Sequence, residues 1–229
     1  MDAFLSFHAP GFWLVIALLA GVVALGVRPY APAPVRAWIM PAYWALLPYL
    51  ALITGGVSPR GMGIASVDWR ASLTLGVGLA LAMVALAALV RVMSATGAPT
   101  MHDTASLAPR GAAGALAAIG LSGVEEWFWS FLRSAVAESL AILQLSLDLP
   151  AYWSIWIAAL LALPSVLLVQ QTSYHRLVKV AILVMTSILF FYTRNFWLCW
   201  AVHAITWLLL AQPSTHAGVA LTGRSRSPR

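Results

Sequence analysis

The sequence predicts an all-α, polytopic transmembrane helix bundle with about seven spans. Of the 229 residues, 62% are hydrophobic and only 9% are charged, whereas a soluble globular domain carries about 25% charged residues. The apolar residues form long, continuous runs rather than the alternating pattern of a membrane β-barrel. Because such a chain cannot cover a water-facing surface, we expect it to lie in a lipid bilayer.

Three apolar runs in the N-terminal part of the chain reach the length needed to cross a bilayer. They are expected at about Gly11–Val27, Ala37–Gly55 and Ala71–Val90. The first run lacks a preceding basic segment and a small-residue cleavage site, so we interpret it as a retained span rather than a signal peptide. A long polar loop follows, and we take residues 1–110 as an N-terminal unit of three helices.

The remaining apolar runs form a second unit, residues 111–211, with a four-helix core. Its first span starts near Gly111, and a less hydrophobic helix is expected from about Ser134 to Leu145. Three further spans are expected at about Ala151–Val169, Leu177–Tyr192 and Asn195–Gln212. Residues 212–229 form a polar, basic tail, whose composition is typical of disorder.

Lysine and arginine residues divide unequally between alternate loops. Nine fall on the side of the C-terminal tail and three on the other side, with Arg133 left out of the count. Since basic residues accumulate in cytoplasmic loops, we expect the N-terminus outside and the tail in the cytoplasm, within the inner membrane of a bacterium. The pI near 10.1 is explained by this distribution and does not indicate nucleic-acid binding. The nine are Arg28, Arg36, Arg91, Arg110, Arg176, Lys179, Arg224, Arg226 and Arg229; the three are Arg60, Arg70 and Arg194.

The segment GVEEWFWSFLR, residues 123–133, places three charges inside an apolar run. A charged side chain at mid-bilayer costs about 2.5–3.5 kcal/mol, so these groups need to pair or to line a wet cavity. On a helix, Glu126, Ser130 and Arg133 lie on one face, and Glu125 points about 100° away. We expect Arg133 to neutralise Glu126 at long reach or through water. Glu125 would then remain as the free carboxylate that a general base requires.

An interfacial position for the two glutamates is the alternative, because Trp127 and Trp129 would fit an aromatic belt. The apolar stretch upstream of them, however, supplies only about 13 residues, too few to cross a ~30 Å hydrocarbon core. We therefore expect the span to continue through the glutamate pair.

One histidine, His203, is predicted in mid-span. It lies about eight residues past the start of its span, and Glu125 lies about 14 residues past the start of a span that runs the other way. At 1.5 Å per residue both reach a similar depth, so an acid and an imidazole could meet around one water. His175 falls at a predicted cytoplasmic turn, where a structural role and a catalytic role both remain open. Gln170 and Gln171, beside it, could donate hydrogen bonds to a substrate backbone.

These motifs resemble the family of CAAX prenyl endopeptidases and bacteriocin-processing enzymes, which are glutamate-type intramembrane proteases. Members carry a Glu-Glu pair followed by an arginine, a histidine on a later helix, and a last helix with a second histidine. Here EEWFWSFLR is similar to the first motif and TRNFWLCWAVHAI to the last. The similarity covers roughly residues 111–211.

Some positions depart from the pattern of the family. Ser130 stands where the arginine of the first motif is usual, and Arg133 comes one turn later. Trp207 stands four residues after His203, where the family often has asparagine.

The middle motif of the family, Phe-x-x-x-His, fits in two ways. Anchoring on His175 puts Gln171 at the Phe position, and anchoring on the usual distance to the last histidine puts Gln170 at the His position. Both alignments stay open at this point.

The resemblance implies metal-independent hydrolysis of a peptide bond within the membrane. Glu125 would activate a water with the help of His203, and His175 or Gln170 would hold the developing oxyanion. The substrate would be a membrane-anchored peptide or protein, including a C-terminal sorting peptide.

The same resemblance implies that Glu126 and Arg133 orient and tune the reacting groups. No metal and no other cofactor is expected, and the only other partner expected is the lipid bilayer. Further candidates for contact with the substrate or the oxyanion are Gln171, Ser130 and Asn195.

A catalytically inactive homologue that acts as a membrane scaffold or complex subunit is the main alternative. The substitution Glu125→Gln separates the two, because it should abolish processing by an enzyme and leave a scaffold unchanged. A transporter would need polar residues at matching depth on other spans, and a haem protein would need a second mid-span histidine. The sequence shows neither feature.

Overall fold

The computed structural model describes residues 6–96, 111–144, 147–170 and 172–211, and within them the chain is helical and contains no strand. The prediction of an all-α bundle is confirmed. Seven α-helices are described, with a short 3₁₀ turn (Arg28–Tyr30) between the first two. They are α1 (Pro10–Val27), α2 (Ala33–Ile53), α3 (Trp69–Thr96), α4 (Gly111–Ile142), α5 (Pro150–Val169), α6 (Ser173–Thr193) and α7 (Phe196–Ala211). The tail from residue 212 and most of the loop after α3 lie outside the described residues.

Within the described residues, four segments are long and apolar enough to cross a membrane: α1 extended through the 3₁₀ turn, α3, α5 and α6. The bundle also presents large apolar side chains outward, with Val22 71% and Leu81 and Leu160 each 64% exposed. Lipid covers such a surface and water does not, so the chain is a membrane protein. The number of seven spans stays a prediction, because α2 and α4 do not meet the same criteria and α7 is shorter.

Local sequence explains where several helices begin and end. Pro10 and Pro150 occupy the first turns of α1 and α5, where the missing N–H of proline costs nothing. The hydroxyl of Thr172 caps α6 by accepting a hydrogen bond from the His175 amide at 3.2 Å. Arg194 ends α6 in the left-handed region, with φ of 48°.

The helix α4 is one continuous element of 32 residues. The separate helix expected from about Ser134 is therefore wrong, since residues 134–142 continue α4. A continuous helix forms because its polar side chains find partners: Glu138 Oε1 accepts hydrogen bonds from Ser134 Oγ at 2.8 Å and Ser58 Oγ at 2.6 Å. At about 48 Å, α4 is longer than the ~30 Å apolar layer of a bilayer.

The helix α4 is also the centre of the bundle. It contacts α1, α2, α5 and α7, while α6 contacts α3, α5 and α7. The predicted units 1–110 and 111–211 therefore pack against each other in one bundle. Helices α4 and α7 approach closely at Gly123, where a Cβ atom would lie 2.8 Å from Trp200 Nε1, so a small residue is needed there.

Hydrogen bonds of the α2–α3 loop define one end of the bundle. We call it the amino end, because the first helix, α1, begins there. The α2–α3 loop binds the final part of α4 through Ser58 and Glu138. The same loop accepts a hydrogen bond at Gly63 O from the Phe196 amide, at 3.0 Å, where α7 begins.

The opposite end, which we call the carboxyl end, gathers the ends of α1, α5 and α7 and the start of α6. Arg28 donates to Leu168 O and Val169 O at 3.4 and 3.3 Å. Tyr174 donates its hydroxyl hydrogen to Leu210 O at 3.0 Å. The helices thus alternate in direction along the bundle.

Candidate functional site

Five ionisable side chains from three helices meet in the interior of the bundle. We call them the ion cluster, and each is at most 4% exposed. The members are Glu125, Glu126 and Arg133 on α4, Lys179 on α6 and His203 on α7. With a neutral imidazole the two carboxylates and two cations balance, which is the condition for burying charge in an apolar interior.

Glu126 and Arg133 form a direct ion pair, with Arg133 Nη1 at 2.6 Å from Glu126 Oε1. Arg133 Nη2 donates to Thr186 Oγ1 at 2.9 Å and lies 3.3 Å from Ser187 Oγ. The guanidinium carbon also lies 5.1 Å from the centre of the Phe190 ring. The pairing expected from helical spacing is thus made by direct contact, and α6 holds the arginine in place.

Glu125 is not the free carboxylate that was expected, because Lys179 pairs with it. The Lys179 ammonium donates to Glu125 Oε2 and lies 3.0 Å from His203 Nε2. The other carboxylate oxygen, Oε1, is buried and finds no hydrogen-bond partner within the described part of the chain. Glu125 therefore has one paired oxygen and one unpaired oxygen.

His203 lies between the two glutamates, as its predicted depth requires. Its Nδ1 is 3.2 Å from Glu126 Oε2, and its Nε2 is 3.5 Å from Glu125 Oε2. Because an ionised carboxylate only accepts, we assign the proton of the neutral ring to Nδ1, which leaves Nε2 to accept from Lys179. The ring stacks on Trp129 with centroids 4.8 Å apart and planes 13° apart.

Lys179 is the site residue that the sequence analysis missed, because it was counted among the basic residues of the loops. It is buried on α6, and its ammonium also lies 4.2 Å from the centre of the Trp207 ring, a favourable cation–π distance. One signal was available in the sequence: Lys179 is the only lysine among thirteen lysine and arginine residues. It also follows His175 by four residues, which places both on one face of α6.

Neither His175 nor Gln170 forms a hydrogen bond or ion pair with the ion cluster among the described residues. His175 is half-buried, and its ring packs against Trp207 with centroids 5.5 Å apart. Gln170 ends α5, and its carbonyl accepts a hydrogen bond from Arg176 Nε at 2.9 Å. Gln171 falls outside the described residues.

The two remaining candidates have different surroundings. Ser130 is fully buried one turn after Glu126, and its hydroxyl has no hydrogen-bond partner in the described ranges. Asn195 is a structural cap: its Oδ1 accepts from the Leu198 amide at 3.2 Å, and its Nδ2 donates to Ser72 Oγ at 3.0 Å. It thus begins α7 and ties it to α3.

The donor set of the ion cluster suits a proton-transfer site better than a metal site. Both carboxylates are engaged with cations, Glu125 with Lys179 and Glu126 with Arg133. Across the described residues, no group of three or more His, Cys, Asp or Glu side chains is arranged to bind a metal ion. Cys199 is a buried free thiol within 3.6 Å of Thr186 O.

Fold and site together define a helical membrane bundle with a charge-balanced cluster of acid, imidazole and amine in its interior. In comparisons with known proteins, no family model, curated protein or solved structure matches this chain. The resemblance to the glutamate-type intramembrane proteases stays a prediction.

Proposed function

We propose that this chain is an intramembrane endopeptidase that hydrolyses a peptide bond in a membrane-anchored or C-terminal sorting peptide. The observation that carries the proposal is the convergence of Glu125, Lys179 and His203 from three separate helices at a buried point. Buried ions are costly and are found inside membrane bundles mainly at functional sites. A carboxylate with one unpaired oxygen is suited to accept a proton from water.

Glu125 acts as the general base through Oε1, the oxygen without a hydrogen-bond partner among the described residues. A water bound there gives one proton to Oε1 while its oxygen forms a bond to the peptide carbonyl carbon. The carbonyl π electrons move to the oxygen, which becomes an oxyanion. When the C–N bond breaks, the proton held by Glu125 passes to the leaving nitrogen, so the site returns to its starting state.

Lys179 supplies the positive charge for the oxyanion, the role that the resemblance gave to His175 or Gln170. A fixed cation in a water-poor site stabilises developing negative charge strongly. In the resting state the Lys179 ammonium lies beside Glu125 and His203. The mechanism therefore requires the Lys179 side chain to turn toward the substrate carbonyl when substrate binds.

Glu126 and Arg133 act as positioning residues. Glu126 fixes the Nδ1–H tautomer of His203, so that Nε2 faces Lys179. Arg133 neutralises Glu126 and is anchored to α6 through Thr186.

We place the enzyme in the bacterial inner membrane with its N-terminus outside. Removing the buried Lys179 from the count of loop residues changes the distribution from nine against three to eight against three. The side with the larger count is the one that the positive-inside rule assigns to the cytoplasm. Its described members lie at the carboxyl end of the bundle and are Arg28, Arg36, Arg91 and Arg176.

The test compares new protein termini in membranes of cells that carry wild-type chain, Glu125→Gln or Glu138→Gln. The first variant keeps the shape of the side chain but removes the base, and we expect processing to fall at least about a hundredfold. Glu138 is a matched control, because it lies on the same helix and binds only the α2–α3 loop and Ser134. Identical sets of termini in wild type and Glu125→Gln would refute the proposal.

A non-catalytic scaffold is the second candidate, and one observation favours it. The Lys179 ammonium lies between Glu125 Oε2 and His203 Nε2, in the gap where a water shared by the acid and the imidazole was expected. In a scaffold the balanced cluster would only join α4, α6 and α7, and Glu125→Gln would change stability without changing any protein terminus.

A further inference from the structure

A cleft at the carboxyl end of the bundle combines a basic mouth with apolar walls. It has a volume of about 310 Å³ and lies between the end of α1, the start of α2 and the end of α5. Leu168, on one wall, is 61% exposed. The lining residues are Leu25, Arg28, Pro29, Arg36 and Leu168.

Both guanidinium groups are held in place by backbone carbonyls. Arg28 donates to Leu168 O and Val169 O at 3.4 and 3.3 Å. Arg36 donates to Ala31 O from Nε and Nη2 at 3.2 and 3.0 Å, and to Pro29 O from Nη2 at 3.2 Å. Among the described residues these bonds leave three of the five N–H donors unused on Arg28 and two on Arg36. Arg28 Nε is enclosed and has no hydrogen-bond partner within the described ranges. The cleft therefore offers oriented donors to an anion.

The surroundings of the cleft fit the headgroup layer of a membrane. Tyr30 follows Pro29 in the chain and Trp38 lies in the first part of α2, so both are at the same end of the bundle as the cleft, and they are 89% and 69% exposed. Such aromatic side chains settle at the boundary between lipid and water. None of the acidic residues in the described part of the chain lies at this end. Those residues are Asp68 and Asp148 at the amino end, Glu138 near it, and Glu125 and Glu126 in the ion cluster.

We propose that this cleft binds the phosphate group of an anionic phospholipid. Arg28 and Arg36 would bind the phosphate oxygens, since a guanidinium matches the geometry of phosphate, and the acyl chains would lie along Leu25 and Leu168. Basic pockets between membrane helices are a known mode of binding anionic headgroups on the cytoplasmic side. The proposal is independent of the peptidase activity, because no residue of the ion cluster takes part.

The test uses the full chain, purified in detergent and presented with phosphatidylglycerol or phosphatidylcholine, with bound lipid counted by native mass spectrometry. We expect wild type to prefer phosphatidylglycerol and Arg36→Gln to weaken that binding roughly fivefold. The double variant Arg28→Gln, Arg36→Gln should lose a further fivefold. Arg60→Gln is the matched control, because Arg60 is an exposed arginine at the amino end, and it should bind as wild type does.

Arg36 is exposed, and its loss leaves the contacts of Arg28 with α5 intact, so the single variant should fold. Equal binding of phosphatidylglycerol by wild type and folded Arg36→Gln would overturn the proposal, as would a wild type without preference between the two lipids. Inorganic phosphate is the separate arm of the experiment. If millimolar phosphate binds and displaces the lipid from wild type but not from Arg36→Gln, the cleft is a site for free phosphate and the lipid assignment is wrong.

Discussion

Lys179 determines the chemistry available to Glu125. An unpaired carboxylate in an apolar interior would carry the full cost of desolvation, and the ammonium removes much of it by direct contact. His203 also depends on this lysine, since its Nε2 has Lys179 as donor while its Nδ1 faces Glu126. Replacing Glu125, Lys179 or His203 alone therefore leaves another buried side chain of the ion cluster without its hydrogen-bond partner.

We predict that Lys179→Met destabilises the protein by about 3–5 kcal/mol, because it leaves Glu125 charged, buried and unpaired. The double variant Glu125→Gln, Lys179→Met should recover a large part of that loss, since neither charge remains. Unfolding in detergent, followed by tryptophan fluorescence, measures the free energy of unfolding of each variant. Arg70→Met, which removes an exposed cation, is the control and should change stability by no more than about 0.5 kcal/mol. A Lys179→Met variant as stable as wild type would show that the lysine does not compensate Glu125.

At the level of the helices, capping and close packing set the positions from which the ion cluster is built. The turn between α6 and α7 consists of Arg194, in the left-handed region, and Asn195, which caps α7. This turn fixes the register of His203 two turns further on. The approach of α4 to α7 at Gly123 brings the glutamates to that histidine.

We predict that Asn195→Ala lowers stability by about 1–2 kcal/mol through the lost cap while protein processing continues. The measurement combines unfolding in detergent with the analysis of protein termini described above. Thr74→Ala is a suitable control, because Thr74 is exposed and its hydroxyl donates only to Arg70 O in its own helix, at 2.7 Å. Loss of processing at unchanged stability would instead place Asn195 in contact with the substrate.

For the whole molecule, the alternation of helix direction gives two ends that differ in charge among the described residues, and the proposed orientation in the membrane rests on that difference. The loop of residues 54–68, the end of α4 and the start of α7 share the amino end. Arg28 and Arg176 lie at the carboxyl end with the start of α6.

We predict that an impermeant maleimide labels Arg60→Cys but not Tyr30→Cys in cells from which the outer membrane has been removed and whose inner membrane is intact. Arg60 lies in the loop at the amino end, and Tyr30 lies at the carboxyl end and is 89% exposed. The native Cys199 is fully buried, so it gives little background. Both variants should be labelled after the membrane is opened. Labelling of Tyr30→Cys alone in intact cells would reverse the predicted orientation.

The sequence predicted the helical class, and it predicted the bounds of α1, α5 and α7 to within about one residue. Long apolar runs and proline positions are local signals, so α1 and α5 fall within one or two residues of expectation. The boundary proposed at Ser134 failed because a fall in hydrophobicity was taken for a break, whereas the polar side chains there bind the α2–α3 loop. The hydrophobicity of a segment indicates the surroundings of its side chains. It does not indicate whether the helix continues through that segment.

The sequence by itself determined that this is a helical membrane protein, that Arg133 is spaced to pair with Glu126, and that His203 lies deep in the bundle. These are matters of composition and of helical period, which depend on neighbours in the chain. Only the tertiary structure decided that Lys179 reaches Glu125, 54 residues away along the chain, and that Asn195 caps α7 and binds Ser72 on α3. Contacts of that kind depend on how helices rotate and pack against each other, and the periodicity within one helix carries no information about its rotation against a partner.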